Sequence, residues 1–186
     1  MKIINLFKES YDELKKVRAI VFAGILLAMA ILLDRFSIPI GKITTIGFGF
    51  IITCTSATLF GPVYSGILGG VGDILKHFIS QRGDFFFGWT LNPILAGIIY
   101  GIFLYGKGFD INNKKQFLIR IIIAKLIVSI FINIFLGSLW VYITSGKAFL
   151  PLLSVRLTKE IILFPIQVII LFYVLPIINK LKNKLD

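Results

Sequence analysis

The sequence predicts an all-α integral membrane protein with a single membrane domain over residues 1–186. Hydrophobic residues make up 57% of the chain and charged residues 16%, whereas a soluble domain is about half apolar and about a quarter charged. Several apolar stretches approach or exceed the ~20 residues that a helix needs to cross a bilayer. A transmembrane β-barrel would instead show segments of ~10 residues with alternating polarity, and the sequence lacks that pattern.

The N-terminal segment, residues 1–16, predicts a short amphipathic helix that lies on the membrane surface. Apolar residues recur in it at the three- to four-residue spacing of a helical face. The segment is too polar and too long to begin a cleavable signal peptide. The apolar positions are Ile3, Phe7, Tyr11 and Leu14.

Six membrane helices follow, and the second ends at Gly61-Pro62, because proline lacks an N–H group and its ring resists a continuing helix. The fifth and sixth helices are long, so we expect them to tilt or to extend beyond the bilayer. The predicted helices span about residues 17–33, 46–60, 62–80, 90–106, 117–144 and 150–179.

The distribution of Lys and Arg predicts the orientation. An even number of helices places both termini on one side of the membrane, and that side carries twelve Lys and Arg residues against seven on the other. Because cytoplasmic loops are enriched in these residues, we expect both termini to be cytoplasmic. The net charge of +11 is then explained by topology and anionic lipid, and no nucleic-acid partner is expected.

The sequence gives no sign of catalysis or of metal binding. It contains no Walker sequence, no Gly-rich phosphate loop and no HExxH motif, so we expect a chain that is not an enzyme and does not hydrolyse ATP itself. The single cysteine, Cys54, can form no intramolecular disulfide and cannot build a metal site alone. We interpret it as a small packing residue and expect no catalytic residue, metal or cofactor.

Pairs of small residues four apart mark the first helix, and such pairs let helix backbones approach closely in lipid. The pairs are Ala19 with Ala23 and Gly24 with Ala28. One interpretation is contact within the helix bundle. The other is that the first helix presents its small-residue face to another protein.

The loop SQRGDFFFGWTLNP, residues 80–93, precedes the fourth helix and is a candidate binding segment. Aromatic faces such as those of Phe87 and Trp89, together with the amide of Asn92, would clamp a flat heterocycle by stacking and by hydrogen bonds to its edge. The alternative is an aromatic belt at the membrane interface, where Trp is enriched. A belt does not require Asn92.

Polar residues inside the membrane helices are the next candidates, because they are costly there and are usually functional. Asp73 and His77 are four residues apart and can meet on one helix face, and a structural pair of Asp73 with His77 or Lys76 is the favoured interpretation. Lys125 is expected to extend toward the cytoplasm. Asn133 is expected to face the bundle interior, for hydrogen bonding between helices or for a ligand.

Three charged residues stand where the sixth helix begins: Arg156, Lys159 and Glu160. Their spacing places them on one helical face, and a structural ion pair of Arg156 with Glu160 is one interpretation. However, two cations against one anion, near a helix N-terminus, leave a site that favours a ligand carboxylate. Arg can bind a carboxylate through two parallel hydrogen bonds, and Glu160 could accept from an amino-substituted ring. The expected solute is flat, anionic and rich in hydrogen-bonding groups.

The order of these features resembles the S components of energy-coupling factor (ECF) vitamin transporters, and most closely the folate-specific branch. Three stretches are similar to segments shared across the family: AGILLAMAILLDRFSI (23–38), FGPVYSGILGGVGDIL (60–75) and FFGWTLNPILAGIIYGIFLY (86–105). Two others favour the folate branch: LSVRLTKEIILFPIQVIILF (153–172) and LGSLW (136–140). The resemblance covers nearly the whole chain.

The resemblance implies the ECF S-component fold: six transmembrane helices with both termini cytoplasmic, in the plasma membrane of a prokaryote. It implies high-affinity binding of a vitamin, here folate, at the outer face. It also implies docking on a transmembrane coupling subunit (EcfT) with two ATPase subunits, followed by reorientation of the S component in the bilayer. The implied docking residues are Ala19, Ala23, Gly24 and Ala28. The implied substrate-binding residues are Arg35, Phe87, Trp89, Asn92, Asn133, Trp140, Arg156, Lys159 and Glu160.

Three alternatives remain open from the sequence. The chain could be an S component for another vitamin, such as pantothenate, riboflavin or a queuosine precursor. A membrane enzyme would need a catalytic pair, for which only His77 beside Asp73 is a candidate. A structural or assembly subunit would bind no ligand through Arg156 or Asn92.

Overall fold

The computed structural model describes residues 3–40, 44–80, 85–106 and 113–185. A short helix, α1 (Ile3–Glu13), precedes the first long helix, α2 (Val17–Arg35). Strands β1 (Ile38–Ile40) and β2 (Thr44–Ile46) pair antiparallel and lead into α3 (Gly49–Ser80). The remaining elements are α4 (Phe87–Leu104), α5 (Lys114–Ile127), a π-helical segment (Val128–Leu136), α6 (Gly137–Ser145) and α7 (Phe149–Leu185).

Five helical spans in the described residues are long and apolar enough to cross a membrane, which confirms an all-helical membrane fold. Two of the six predicted helices, 46–60 and 62–80, form the single element α3. The helix count of six and the cytoplasmic location of both termini therefore stay predictions. The short β-hairpin was not predicted, because three-residue strands carry almost no periodic signal. The spans are Val17–Arg35, Gly49–Ile79, Phe87–Leu104, Lys114–Ser145 and Phe149–Lys180.

The predicted break at Gly61-Pro62 is present inside α3. Gly61 has φ +86° and ψ −171°, a conformation that side-chain-bearing residues rarely adopt. The break leaves backbone groups without helical partners, and the buried hydroxyl of Ser10 in α1 satisfies them. Its Oγ donates to the Phe60 carbonyl at 2.7 Å and accepts from the N–H groups of Val63 and Tyr64 at 3.1 and 3.2 Å. The break is thus capped by a distant part of the chain.

The helix α1 packs against the protein on the side of Leu6 and Ser10, which are both buried. Of the predicted apolar face, Ile3 and Tyr11 are exposed, while Leu14 is partly buried against the cluster between α2 and α3. The buried side of α1 is therefore set by its contact with α3, one helical position away from the apolar stripe that the sequence indicates.

Two apolar clusters form the core. One joins α3 and α4 to the α5 region and α7, and it includes Cys54, which is fully buried as the packing interpretation requires. The other joins α2 to α3 and includes Ala19 and Tyr64. The Tyr64 hydroxyl donates to the Ala19 carbonyl at 2.7 Å and so ties the start of α2 to α3. The space between α3, α4, the π-helical segment and α7 is left open on one side as a cavity.

Candidate functional site

A cavity of about 370 Å³ lies between α3, α4, the α5–π region and α7. Sites for small molecules typically have volumes of about 300–1,000 Å³, so the cavity is large enough for one. Six of the nine predicted substrate-binding residues line it: Trp89, Asn92, Asn133, Arg156, Lys159 and Glu160. Sequence spacing alone placed these residues on three separate helices, and the fold brings them together.

Along α7 the cavity wall passes from the half-buried Arg156 to the buried Gln167, and we call these two ends the mouth and the closed end. Arg156, Glu160 and Gln167 lie on one face of α7, because their spacings of four and eleven residues both return to nearly the same helical angle. Arg156 is near the connection to α6, at the mouth. Gln167 lies at the closed end, which Tyr100 of α4 and Lys125 of α5 complete.

Glu160 is the centre of a buried polar network in the cavity wall. Its side chain is 5% exposed, and its two carboxylate oxygens are both occupied by neighbouring helices. Oε2 accepts from the Ser129 hydroxyl at 2.7 Å and Oε1 accepts from Asn133 Nδ2 at 3.0 Å. Lys125 Nζ lies 3.8 Å from Oε2, and Lys125 itself is 2% exposed. Glu160 thus fixes the position of Asn133 and neutralises a buried lysine.

Arg156 lies at the mouth with part of its hydrogen-bonding capacity unused. Its Nη1 donates to the backbone carbonyl of Asn133 at 3.1 Å, and its guanidinium carbon is 6.0 Å from the centre of the Trp89 ring. The Nε group is buried and has no hydrogen-bond partner among the described residues. Gly137 makes room for the guanidinium, because a Cβ atom there would collide with Nη1. A ligand carboxylate would satisfy the remaining donors.

The amide of Asn92 is held in place from outside the cavity. Trp140 Nε1 donates to Asn92 Oδ1 at 2.9 Å, and the Trp140 ring packs edge-on against Phe86 at 5.6 Å between centres. Trp140 does not line the cavity, and this hydrogen bond connects it to Asn92, which does. Because Asn92 Oδ1 is occupied, its Nδ2 group is the one left to donate to a ligand.

Besides Trp140, two predicted substrate-binding residues do not line the cavity: Arg35 and Phe87. Phe87 is 59% exposed at the start of α4, while Trp89 two residues later faces the cavity. Arg35 is exposed at the end of α2. The segment between the two strands lies outside the described residues, and so do Arg82 and Asp84 of the loop before α4. The part that Arg35 and Phe87 take in binding therefore stays a prediction.

Three interpretations of charged residues are corrected by the structure. Lys125 does not extend toward the cytoplasm, because the buried Glu160 carboxylate holds it inside the bundle. Asp73 accepts a hydrogen bond from Thr90 at 2.9 Å, while the His77 ring packs against Phe85 at 5.1 Å. Glu160 is paired with Lys125, Ser129 and Asn133, so the alternative interpretation of a structural ion pair between Arg156 and Glu160 is wrong.

Sequence analysis missed two polar residues of the site: Gln167, which lines the cavity, and Ser129, which does not line it but donates to Glu160 in its wall. Ser129 lies four residues from both Lys125 and Asn133, so its spacing carried a signal that a shared polar face existed. Gln167 lies seven residues after Glu160 on the same face of α7. It is 8% exposed, and its Oε1 atom has no hydrogen-bond partner in the described part of the chain. Because Gln167 lies within an apolar run of α7, the sequence offers no reason to separate it from the packing residues around it.

The predicted docking residues divide into two pairs. Ala19 is fully buried and Ala23 is half-buried, and both belong to the cluster between α2 and α3. Gly24 and Ala28 are exposed, and a Cβ atom built on Gly24 would meet nothing within 4 Å. The first pair therefore serves contact within the bundle, and the second pair forms a small-residue patch on the surface.

Comparison with known proteins defines the class of the chain. Residues 14–182 match the family of ECF-type riboflavin transporter S components. The chain belongs to this family, so it is a transporter S component and a multi-pass protein of the bacterial plasma membrane, not an enzyme.

Individual relatives show which members of the family the chain is similar to. The chain is 33% identical over 169 residues to the folate transporter FolT of Clostridium novyi (strain NT), covering 91% of this chain and 94% of the relative. It is 27% identical to the folate transporter FolT of Streptococcus mutans serotype c, covering 88% of each chain. Among solved structures it resembles FolT bound with folic acid, with 34% identity, a TM-score of 0.77 and coverage of 90% of this chain and 98% of the other.

Proposed function

We propose that the chain is a folate-binding S component that captures the vitamin and delivers it together with a coupling subunit (EcfT) and two ATPase subunits. Two findings support the ligand: relatives that align along most of their length are folate transporters, and a similar solved structure holds folic acid. The shape and chemistry of the cavity agree with this ligand. It presents cations and an aromatic ring at the mouth and amides along its walls.

The observation that carries the proposal is the unused hydrogen-bonding capacity of Arg156. A buried guanidinium N–H group without a partner is costly, because it has lost water and gained nothing in exchange. Lys159 lies one helical turn away and lines the same mouth. Folate carries glutamate carboxylates, and these would neutralise the two cations and satisfy the orphaned donor.

The remaining cavity residues fit a flat heteroaromatic ligand. Trp89 offers a ring face for stacking. Asn92 and Asn133 are each fixed by one hydrogen bond to the protein, through Trp140 and Glu160. Fixed amides lose little entropy when a ligand binds, so they favour tight binding. The wall is thus organised before the vitamin enters.

The energy for delivery has to come from other subunits, because the sequence contains no ATP-binding motif. Gly24 and Ala28 form the exposed small-residue patch on α2, and small residues allow another membrane helix to approach closely. This patch is the docking surface that we assign to the coupling subunit. Ala19 and Ala23 pack α2 against α3 and so hold the helix that carries the patch in place.

Riboflavin is a second candidate ligand, because the matching family is named for it. Riboflavin is also flat and would stack on Trp89, but it has no carboxylate for Arg156 and Lys159. The two ligands therefore make opposite predictions for the Arg156→Ala variant: a large loss of affinity for folate and a small effect for riboflavin.

The decisive experiment measures binding of folate and of riboflavin to the protein purified in detergent. Trp89 lies in the cavity, so quenching of tryptophan fluorescence should report binding, with calorimetry giving the stoichiometry and affinity. We expect tight one-to-one binding of folate that weakens by about 10- to 100-fold in Arg156→Ala, from the loss of charged hydrogen bonds. The exposed Lys147→Ala variant removes a cation outside the cavity and should bind normally.

Absence of folate binding to the wild-type protein would overturn the ligand assignment. Tight riboflavin binding in the same preparation would then favour the second candidate. An equal effect of Arg156→Ala and Lys147→Ala on folate affinity would show that the cations act only through overall charge.

A further inference from the structure

The cavity has opposite unsatisfied hydrogen-bonding groups at its two ends. At the mouth, Arg156 has a buried N–H donor that lacks a partner in the described chain. At the closed end, Gln167 has a buried carbonyl oxygen, Oε1, that also lacks one among the described residues. A ligand that satisfies both must carry an acceptor at one end and a donor at the other.

Glu160 is the only carboxylate of α7 within residues 149–185, and the protein already engages it. Its two oxygens already accept from Ser129 and Asn133, and Lys125 neutralises its charge. At the closed end, two side-chain oxygens lack a partner among the described residues: the Tyr100 hydroxyl, which can donate or accept, and Gln167 Oε1, which can only accept. The Gln167 side chain is more than nine-tenths buried, so water from outside cannot compensate for a missing partner.

The two ends are far apart. Eleven residues of α7 separate Arg156 from Gln167, which corresponds to about 16 Å along the helix axis at 1.5 Å per residue. A compact vitamin would satisfy one end only. An elongated molecule with a carboxylate tail and an amino-substituted ring satisfies both, and only when its ring is inserted first.

The geometry points to a cavity composed of two half-sites, with Gln167 as the specificity-determining residue of the deep half, where it accepts from the 2-amino group of a pterin ring. This inference rests on the proposed folate function and deepens it. It has a consequence beyond that function: the deep half-site should bind a tail-less pterin by itself, and the mouth should bind a ring-less p-aminobenzoylglutamate. The chain then has two fragment specificities controlled by different residues.

The test measures competition with folate by the two fragments, 6-methylpterin and p-aminobenzoyl-L-glutamate, on the full chain in detergent. In Gln167→Leu, we expect the affinity for 6-methylpterin to fall about 10-fold or more, because a buried hydrogen-bond partner is lost, and the affinity for p-aminobenzoylglutamate to change less than about 2-fold. In Arg156→Ala, the pattern should be reversed. Gln116→Leu makes the same chemical change at an exposed position of α5 and should alter neither.

A second measurement decides the matter if the fragments bind too weakly to compete. Folate is compared with 2-desamino-2-methylfolate, which lacks the 2-amino donor. The wild-type protein should prefer folate by about 10-fold, and Gln167→Leu should lose that preference. Gln167→Glu keeps an acceptor oxygen at the same place and should retain it. Unfolding temperatures of all variants, with Gln116→Leu as the reference, show whether each one is folded.

The outcomes separate this inference from the proposed function. If the wild-type protein binds folate tightly but Gln167→Leu weakens both fragments equally, or keeps its preference for the 2-amino group, the half-site assignment is wrong and the folate function stands. If the wild-type protein binds neither folate nor either fragment, the proposed function itself fails.

Discussion

The hydroxyl of Ser10 lies 2.7 Å from the carbonyl oxygen of Phe60, and this contact closes the break in α3 from a helix 50 residues away. The same oxygen accepts from two N–H groups that begin the second half of α3. Helix capping normally comes from the residue before the helix. Here the preceding residue is Gly61, which has no side chain, and α1 supplies the cap instead.

Ser10→Ala should therefore destabilise the protein by about 1–3 kcal/mol, because buried N–H groups lose their acceptor. The measurement is the thermal unfolding midpoint in detergent, followed by tryptophan fluorescence. Ser154→Ala is the matched control, since among the described residues the exposed Ser154 hydroxyl bonds only to the Leu150 carbonyl within its own helix. Equal midpoints for the two variants would show that the cap contributes nothing measurable.

Replacing Lys125 should destabilise the protein, because the buried charge on Glu160 then loses its counter-ion. In Lys125→Met, the carboxylate keeps its hydrogen bonds but loses its only neutralising partner among the described residues within 4 Å, and breaking such a pair typically costs about 3–5 kcal/mol. Adding Glu160→Gln removes the orphaned charge, so the double variant should be more stable than Lys125→Met. Chemical denaturation of the three proteins gives the comparison, and a double variant less stable than the single one would contradict the pairing.

Gly137→Ala should disturb Arg156 and thereby weaken folate binding. The new methyl group would collide with the guanidinium Nη1 atom and push it away from the mouth. We expect a loss of affinity of about 10-fold, comparable to one charged hydrogen bond. Gly24→Ala adds the same methyl group where nothing lies within 4 Å and should bind like the wild type. Normal folate affinity in Gly137→Ala would show that Arg156 does not need its observed position.

Trp140 and Asn92 should behave as one unit in folate binding. Trp140→Phe removes the N–H group that orients the Asn92 amide, and we expect a loss of about 5-fold, the value of a neutral hydrogen bond. Adding Asn92→Ala should produce little more loss than Asn92→Ala alone, because the indole acts only through the amide. Tyr142→Phe, at an exposed aromatic residue of α6, is the control. Additive losses would mean that Trp140 contacts the ligand independently.

Large side chains on the small-residue patch of α2 should separate transport from binding. Gly24→Leu with Ala28→Leu places bulk on an exposed surface that does not line the cavity. We expect folate affinity to be unchanged, while cellular uptake and co-purification with the coupling subunit are lost because close helix packing is blocked. Ala148→Leu makes the same change in the exposed connection before α7 and should transport normally. Loss of binding together with transport would argue against a separate docking surface.

Sequence patterns predicted those parts of the molecule that depend on local chemistry. The break at Gly61-Pro62 follows from the ring of proline and the freedom of glycine, and both act within a few residues. Asn92 and Arg156 were identified because polar groups in apolar helices are expensive and therefore informative. Their meeting in one cavity could not be derived from spacing, since it depends on how α4 and α7 pack.

Contacts between distant segments were the part that the sequence could not reveal. Lys125 in an apolar run fits both an outward and an inward side chain, and only the position of Glu160 on another helix decides between them. The π-helical segment also escaped prediction. Its hydrogen bonds, such as that from the Gly137 N–H to the Ile132 carbonyl, join residues five apart, and no composition signal marks this geometry.

The position of α2 has a consequence for signalling. This helix carries the small-residue patch, packs chiefly against α3, and contributes no residue to the cavity wall. The same α3 lines the cavity through Phe50, Thr53 and Asp73. Packing therefore connects an occupied cavity to a partner on α2 through α3, the helix that contains the capped break at Gly61.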